Sequence, residues 1–133
     1  MKPVFADSFY YIAVLNRTDT DHARVVEFCG KFFCPIVTTA WILAEVADGM
    51  AAVNLRSGFV SFYRRLVTDP TVTIVPPSSV FFDAGMDLYA RRPDKSWSLT
   101  DCISFVVMES HGLADALTAD HHFEQAGFTA LLK

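Results

Sequence analysis

Short runs of apolar and β-branched residues alternate with longer helical patterns along this chain, and that alternation leaves little choice of fold. Pro3 to Ala6, Ile36 to Thr38, Val72 to Val75, Ala116 to Ala119 and Phe128 to Leu132 read as strands. The segments between them read as helices: Ser8 to Leu15, His22 to Cys29 closed by Gly30, AWILAEVADGM after a Thr39 cap, and about Leu55 to Val67. A further helix runs from Ser78 or Ser79 to about Ala90, and a short one, HHFEQA, starts beside Asp120. Asp69-Pro70 and Pro76-Pro77 break the pattern on either side of the third strand. Strands joined through helices pair in parallel, in a sheet covered on both faces. The expected architecture is a three-layer α/β/α domain over residues 1–133, with a parallel, about five-stranded central sheet.

The most apolar helical stretch, WSLTDCISFVVM from Trp97 to Met108, carries one carboxylate, Asp101, near its start. Ser98 can cap this helix, and Asp101 three positions later completes the pattern of a capping box. Cys102, Ile103, Phe105, Val106, Val107 and Met108 give an apolar surface wider than one stripe, so the helix is expected to be buried. Asp101 alone reads equally well as a cap that complements the helix dipole. Other acids stand in matching settings, however. Asp7 ends the first strand, Asp120 follows the fourth, and Glu45 lies in the second turn of a helix that directly follows a strand. In open α/β sheets the functional crevice lies outside the carboxyl ends of the strands, so all four can face one rim. Asp19, Asp21, Asp69 and Asp94 fall in turns and Glu27, Asp83, Asp87 and Glu124 on solvated helix faces, as ordinary surface charges do.

Physics restricts what clustered carboxylates can do. Two like charges about 4 Å apart repel by roughly 4 kcal/mol at an effective dielectric near 20. Such a cluster must take up protons, pair with bases, or hold cations, and no Lys or Arg adjoins any of the four in sequence. An all-oxygen donor set with open positions suits Mg2+ or Mn2+, and the chemistry that follows is metal-assisted phosphodiester hydrolysis. Ser8 and Thr118 can bond a carboxylate or a substrate phosphate, with local backbone capping as the alternative. His121 or His122 can contact a substrate, or serve only the short helix they open.

Here the sequence resembles the PIN domain, the ribonuclease fold of VapC-type toxins, over essentially its whole length. The resemblance rests on Asp7, Glu45, Asp101 and Asp120, on WSLTDCISFVVM, and on LTADHHFEQAGF, whose Thr118, Asp120, His122 and Phe123 match a T-x-D-x-H-F pattern. VFADSFYYIAVLN and TTAWILAEV add weaker matches in the right order. The resemblance implies that Asp7, Asp101 and Asp120 are direct or water-mediated ligands of Mg2+ or Mn2+. Glu45 would be a further ligand, or would orient or deprotonate the attacking water. It implies an RNA substrate, pairing as a homodimer, and a small antitoxin that wraps the protein and approaches the acidic site.

Composition bears on the alternatives. The formal net charge is −4, from 11 basic and 15 acidic residues, so assigning four acids to a metal leaves a near-neutral surface. RNA attraction must then come from local patches such as Arg56, Arg64, Arg65, Arg91, Arg92 and Lys95, favouring a particular RNA structure over general binding. Hydrophobic residues make up 52% of the chain and Phe numbers 12; the Phe-rich stretches read as core, with Phe59, Phe62 and Tyr63 able instead to form a partner-binding groove. No apolar run approaches the roughly 18 residues of a membrane span, and Asp7 interrupts what would be a signal core. The odd set Cys29, Cys34 and Cys102 makes no C-x-x-C pair, which points to a reducing, cytoplasmic setting. A phosphoacceptor signalling domain would need an acidic pair after the first strand and a lysine ending the last strand in the crevice. The chain offers a lone Asp7, and Lys133 only as its last residue. A non-toxin RNA-processing nuclease and a non-catalytic binding module on the same fold remain as alternative readings.

Overall fold

The computed structural model describes residues 2–133. Its strands are β1 (Val4–Ala6), β2 (Ile36–Thr39), β3 (Val72–Val75), β4 (Asp115–Leu117) and β5 (Thr129–Ala130). Its helices are α1 (Ser8–Leu15), α2 (His22–Cys29), α3 (Ala40–Gly49), α4 (Val53–Leu66), α5 (Ser79–Arg91), α6 (Leu99–Ser110) and α7 (His121–Gln125). The strands form one sheet in the order β3-β2-β1-β4-β5, and every neighbouring pair is parallel. Phe5 of β1 stands opposite Val37 on one side and Ala116 on the other. The strand order reverses between β1 and β4, and at that switch point the loops leaving the two strands part and open a crevice.

The expected three-layer arrangement with five parallel strands is the one observed. The bounds fall within about two residues of those expected, and two shifts near the C-terminus bear on the site. β4 ends at Leu117 and not at Ala119, because the Thr118 N–H turns back onto the Ala116 carbonyl at 3.0 Å and Asp120 is taken up as the N-cap of α7. β5 is two residues long, although Leu131 and Leu132 still donate to the Ala116 and Thr118 carbonyls. Asp120 therefore lies past a turn and not directly on the end of β4. Among the described residues no helix is long and apolar enough to cross a membrane.

Burial follows the sequence pattern. Cys102, Ile103, Phe105, Val107 and Met108 of α6 are all buried, as its wide apolar surface requires. An aromatic chain sits behind the crevice. Trp97 packs edge-on against Phe105, Phe105 edge-on against Phe123, and Phe123 against Phe5, with ring centroids 5.1, 5.0 and 6.2 Å apart. These rings join the start of α6 to α7 and to β1. Trp97 adds a hydrogen bond from its indole N–H to Gln125 of α7, at 3.0 Å.

Helices α5 and α6 pack closely at Gly85. A Cβ placed on Gly85 would stand 2.4 Å from Ile103 Cγ1 and 3.1 Å from the Ile103 Cα. Both of these atoms are tied to α6, so the helices must separate to admit a methyl group. Gly85→Ala is expected to cost about 1–3 kcal/mol in urea unfolding, in spite of alanine's higher helix propensity. A neutral or stabilising result would show that the two helices do not meet this closely.

Candidate functional site

Three acids enter the crevice from the starts of helices. Asp7 occupies the N-cap position of α1 immediately after β1, Asp101 is the third residue of α6, and Asp120 caps α7. Glu45 comes from the second turn of α3, which follows β2 without a break. The expected capping box is present: the Ser98 side chain accepts from the Asp101 N–H at 3.0 Å, and Asp101 Oδ2 accepts from the Ser98 N–H at 3.1 Å. Asp101 is thus a structural cap that also faces the crevice.

Asp7 is the deepest of the four, only 5% exposed. Burial pushes its carboxyl up to about 7 from an ordinary value of 3.8, the Thr118 hydrogen bond pulls it back, and repulsion from Asp101 and Glu45 adds to the rise. Asp101 is raised as well, first by burial and then by the charge of Asp120, while the Ser98 bonds and His122 oppose the rise. Through these mutual effects Asp7 is linked to both Asp101 and Glu45, and Asp101 to Asp120. Sequence positions as far apart as Asp7 and Asp120 thereby share one electrostatic site.

Hydroxyls fix the carboxylates. Thr118, fully buried, donates to Asp7 Oδ2 at 2.8 Å and accepts from the Asp120 N–H at 3.1 Å. This one side chain spans the switch point from β1 to β4 and holds the turn that presents Asp120. The Ser8 hydroxyl donates to Glu45 Oε1. Both residues therefore bond carboxylates, and for Thr118 the local capping role is present too.

His122 Nδ1 lies 3.3 Å from Asp101 Oδ2 and 3.3 Å from Asp120 Oδ1, so the ring faces the crevice. It is aligned for a hydrogen bond with neither, so this buried ring nitrogen has no hydrogen-bond partner among the described residues. The cue in the sequence is its spacing, two residues after an N-cap acid on a helix whose first turn points back at the crevice. His121, by contrast, is largely exposed, with Nδ1 3.7 Å from Asp120 Oδ1.

Among the described residues no Lys or Arg forms an ion pair with Asp7, Glu45, Asp101 or Asp120. Elsewhere acids do find bases: Asp21 with Arg24, Glu27 with Lys31, Asp94 with Arg92, Glu124 with Lys133. The crevice is a set of oxygen donors, with one imidazole nitrogen, that lacks a balancing cation. Among the described residues, the donor atoms that lie mutually within 4.8 Å are those of Asp120, His121 and His122, a mixed oxygen and nitrogen set that fits a divalent ion.

Basic residues cluster in two places. Arg56, Arg64 and Arg65 line an open groove of about 710 Å³ on the outer face of α4. Arg92 and Lys95 border a cavity of about 460 Å³ with Tyr89, Trp97 and Cys102, next to the start of α6. Arg92 is held over the Trp97 ring at 5.1 Å and pairs with Asp94. A smaller apolar groove, about 270 Å³, lies between α3, α4 and β3 and includes Phe59 and Tyr63.

No protein-family model and no curated protein matches the sequence. Solved structures do match its shape. VapC20 of Mycobacterium tuberculosis, a sarcin–ricin loop cleaving toxin, is similar with a TM-score of 0.87 and 19% identity over 96% of this chain and 98% of that one. FitAcB of Neisseria gonorrhoeae is similar with a TM-score of 0.65 and 18% identity over 96% and 94%. FitAB bound to an IR36 DNA fragment gives 0.66 and 18% over 96% and 93%. The chain has a PIN-domain, VapC-like fold.

The raised Asp7 carboxyl makes a testable demand on stability. Below pH 4 the group is protonated in both folded and unfolded chains and costs nothing. Between about pH 4 and 7 the unfolded chain releases its proton while the folded one keeps it, so metal-free stability falls with rising pH. The cost levels off above pH 7, with a ceiling of roughly 4 kcal/mol. In metal-free protein at pH 8, Asp7→Asn is expected to be more stable than wild type by about 1–4 kcal/mol, a gain that shrinks towards pH 4. Chemical denaturation at the two pH values reads this directly. A variant less stable than wild type at pH 8 would mean that the carboxylate has a balancing partner.

Proposed function

We propose that this protein is a Mg2+- or Mn2+-dependent endoribonuclease, and the toxin component of a type II toxin–antitoxin pair. The observation that carries the reading is the buried Asp7, facing Asp101 and Glu45 at the β1/β4 switch point with no Lys or Arg paired to it among the described residues. The VapC-like fold supports it, since VapC20 is a toxin that cleaves the sarcin–ricin loop.

In this reading Asp7, Asp101 and Asp120 hold the ion, directly or through water, and Glu45 either adds a ligand or handles the attacking water. A bound divalent ion would polarise the scissile phosphate and make water a stronger nucleophile at neutral pH. The chain's own groups do the rest. Ser8 donates to Glu45 Oε1, which fixes one carboxylate oxygen and leaves the other to orient water or receive its proton. Thr118 holds Asp7 on the β1 side and the Asp120 turn on the β4 side, so the donors stay in place before RNA arrives. Arg92 and Lys95 beside α6, and Arg56, Arg64 and Arg65 on α4, supply the positive charge that a near-neutral surface otherwise lacks.

Two protein partners belong to the same reading. A second copy forms a homodimer, and a small antitoxin blocks the acidic crevice. The exposed apolar residues Val53, Val60 and Tyr63 on α4, Val67 just after it, and Val80, Phe82, Met86 and Tyr89 on α5, offer surface for such contacts. A non-toxin RNA-processing nuclease would share the site without the lethality. Growth arrest on induced expression, relieved by a short open reading frame directly upstream, separates the two.

The catalytic claim is tested by cleavage of structured RNA with and without divalent metal. Wild type is expected to cut in Mg2+ or Mn2+ and to stop on chelation. Asp101→Asn, which can still accept the Ser98 N–H and keep its helix cap, is expected to lose at least about 100-fold in rate, roughly 3 kcal/mol of transition-state stabilisation. Activity retained in Asp101→Asn, or undiminished by chelator, would contradict the assignment.

A further inference from the structure

We infer that the cavity between the end of α5, the Arg92–Lys95 turn and the start of α6 receives one unpaired nucleotide of RNA, its base against Tyr89 and Arg92 and its phosphate at Lys95. The inference rests on the nuclease reading above and adds a substrate contact outside the acidic crevice. Tyr89, Arg92, Lys95, Ser96, Trp97 and Cys102 line about 460 Å³ of space, within the roughly 300–1,000 Å³ usual for small-molecule pockets. Among the described residues no acid lines it, although the chain carries 15 acids against 11 bases. Tyr89 brings an aromatic ring that is 50% exposed.

The turn holds these groups in place. The Lys95 N–H donates to the Arg92 carbonyl at 3.1 Å, closing a β-turn whose second position is fixed by Pro93. Arg92 Cζ stands 5.1 Å from the centre of the Trp97 ring, and Nε and Nη2 donate to Asp94 at 2.9 and 3.0 Å. Asp94 thereby orients Arg92 and offsets its charge, while the Arg92 side chain stays 41% exposed. A guanidinium held in this way is better suited to stack on a base than to capture a phosphate. Lys95 differs. It is half-buried and forms no ion pair among the described residues, because Asp94, the one acid of the turn, is taken by Arg92. An ammonium left in this state suits an anion that arrives with a ligand.

Position ties the cavity to the acids. Cys102 on its wall directly follows Asp101, so their Cα atoms are about 3.8 Å apart. RNA whose phosphate lies over the acids can bring a neighbouring nucleotide past the start of α6. Duplex bases are stacked and paired, so an unpaired base is the one able to enter a cavity and lie on an aromatic or guanidinium plane. The α4 groove offers a contrast. Arg56, Arg64 and Arg65 line an open face with no aromatic side chain, which suits backbone phosphates of any sequence.

Fluorescence anisotropy in metal-free buffer, where RNA binds without being cut, tests the inference with two labelled probes. One is an RNA hairpin with an unpaired loop, the other a fully paired RNA duplex of the same length. Wild type is expected to favour the hairpin by at least about fivefold. Tyr89→Ala should weaken the hairpin at least about fivefold and leave the duplex within about twofold, which also shows that the variant is folded. Tyr89→Phe, which keeps the ring, should bind as wild type does. Lys95→Gln should weaken the hairpin and lower its salt slope by about one. Tyr89→Ala that binds the hairpin like wild type would overturn the inference and leave the cavity to a protein partner. Equal loss of hairpin and duplex in Tyr89→Ala, or an unchanged salt slope in Lys95→Gln, would overturn it too. Displacement of the hairpin by micromolar 5′-AMP would do the same, by assigning the cavity to a free nucleotide. Metal-dependent cleavage by wild type, measured alongside, separates the two claims. Cleavage with variants that bind normally sinks only the cavity assignment, whereas wild type that neither binds nor cuts RNA sinks the nuclease reading as well.

Discussion

The structure turns on the repulsion among carboxylates gathered where the sheet changes direction. Asp7 is nearly inaccessible to water and yet is faced by Asp101 and Glu45, so its charge is opposed by burial and by its neighbours alike. Folding tolerates this because each acid has a local reason to be there. Asp7 and Asp101 sit at the starts of α1 and α6, where the helix dipole returns about 0.3–1 kcal/mol each. Asp101 and Asp120 satisfy backbone N–H groups that would otherwise lack partners. These local gains are smaller than the cost of burying charge at Asp7. What remains after them is negative charge that no Lys or Arg among the described residues balances.

The rest of the fold keeps that arrangement rigid. The Trp97, Phe105, Phe123 and Phe5 rings run behind the acids, tying the starts of α6 and α7 to β1. Thr118 performs the equivalent task in front, with one hydroxyl bonded to both sides of the switch point. The close α5–α6 approach at Gly85 fixes α6 laterally, and with it Asp101. A site built this way has little freedom to spread its charges apart, so protons or cations must relieve them.

Much of this was legible in the sequence, for identifiable reasons. The VTIV strand, the Ser98 and Asp101 pattern and the apolar run from Cys102 to Met108 are local signals, and each formed the element expected. The acid positions followed from the rule that parallel sheets expose their carboxyl ends to ligands. The sheet order and the boundaries near the C-terminus depend on non-local bonds. β4 stops at Leu117 because Thr118 turns to serve Asp7 and Asp120, a demand that originates 111 residues away. His122 shows the same limit. Its spacing marked it for attention, but its position between Asp101 and Asp120 depends on how α6 and α7 pack against each other.

The central claim is that Asp7 is a charge the apo fold cannot easily carry. Carbon-13 NMR of the aspartate carboxyl groups, titrated in metal-free protein and assigned through Asp7→Asn, measures it at the atom concerned. The account predicts an Asp7 transition near pH 7, displaced to lower pH once Mg2+ is added. An Asp7 transition at the ordinary carboxylate value of 3.8, unmoved by Mg2+, would contradict it.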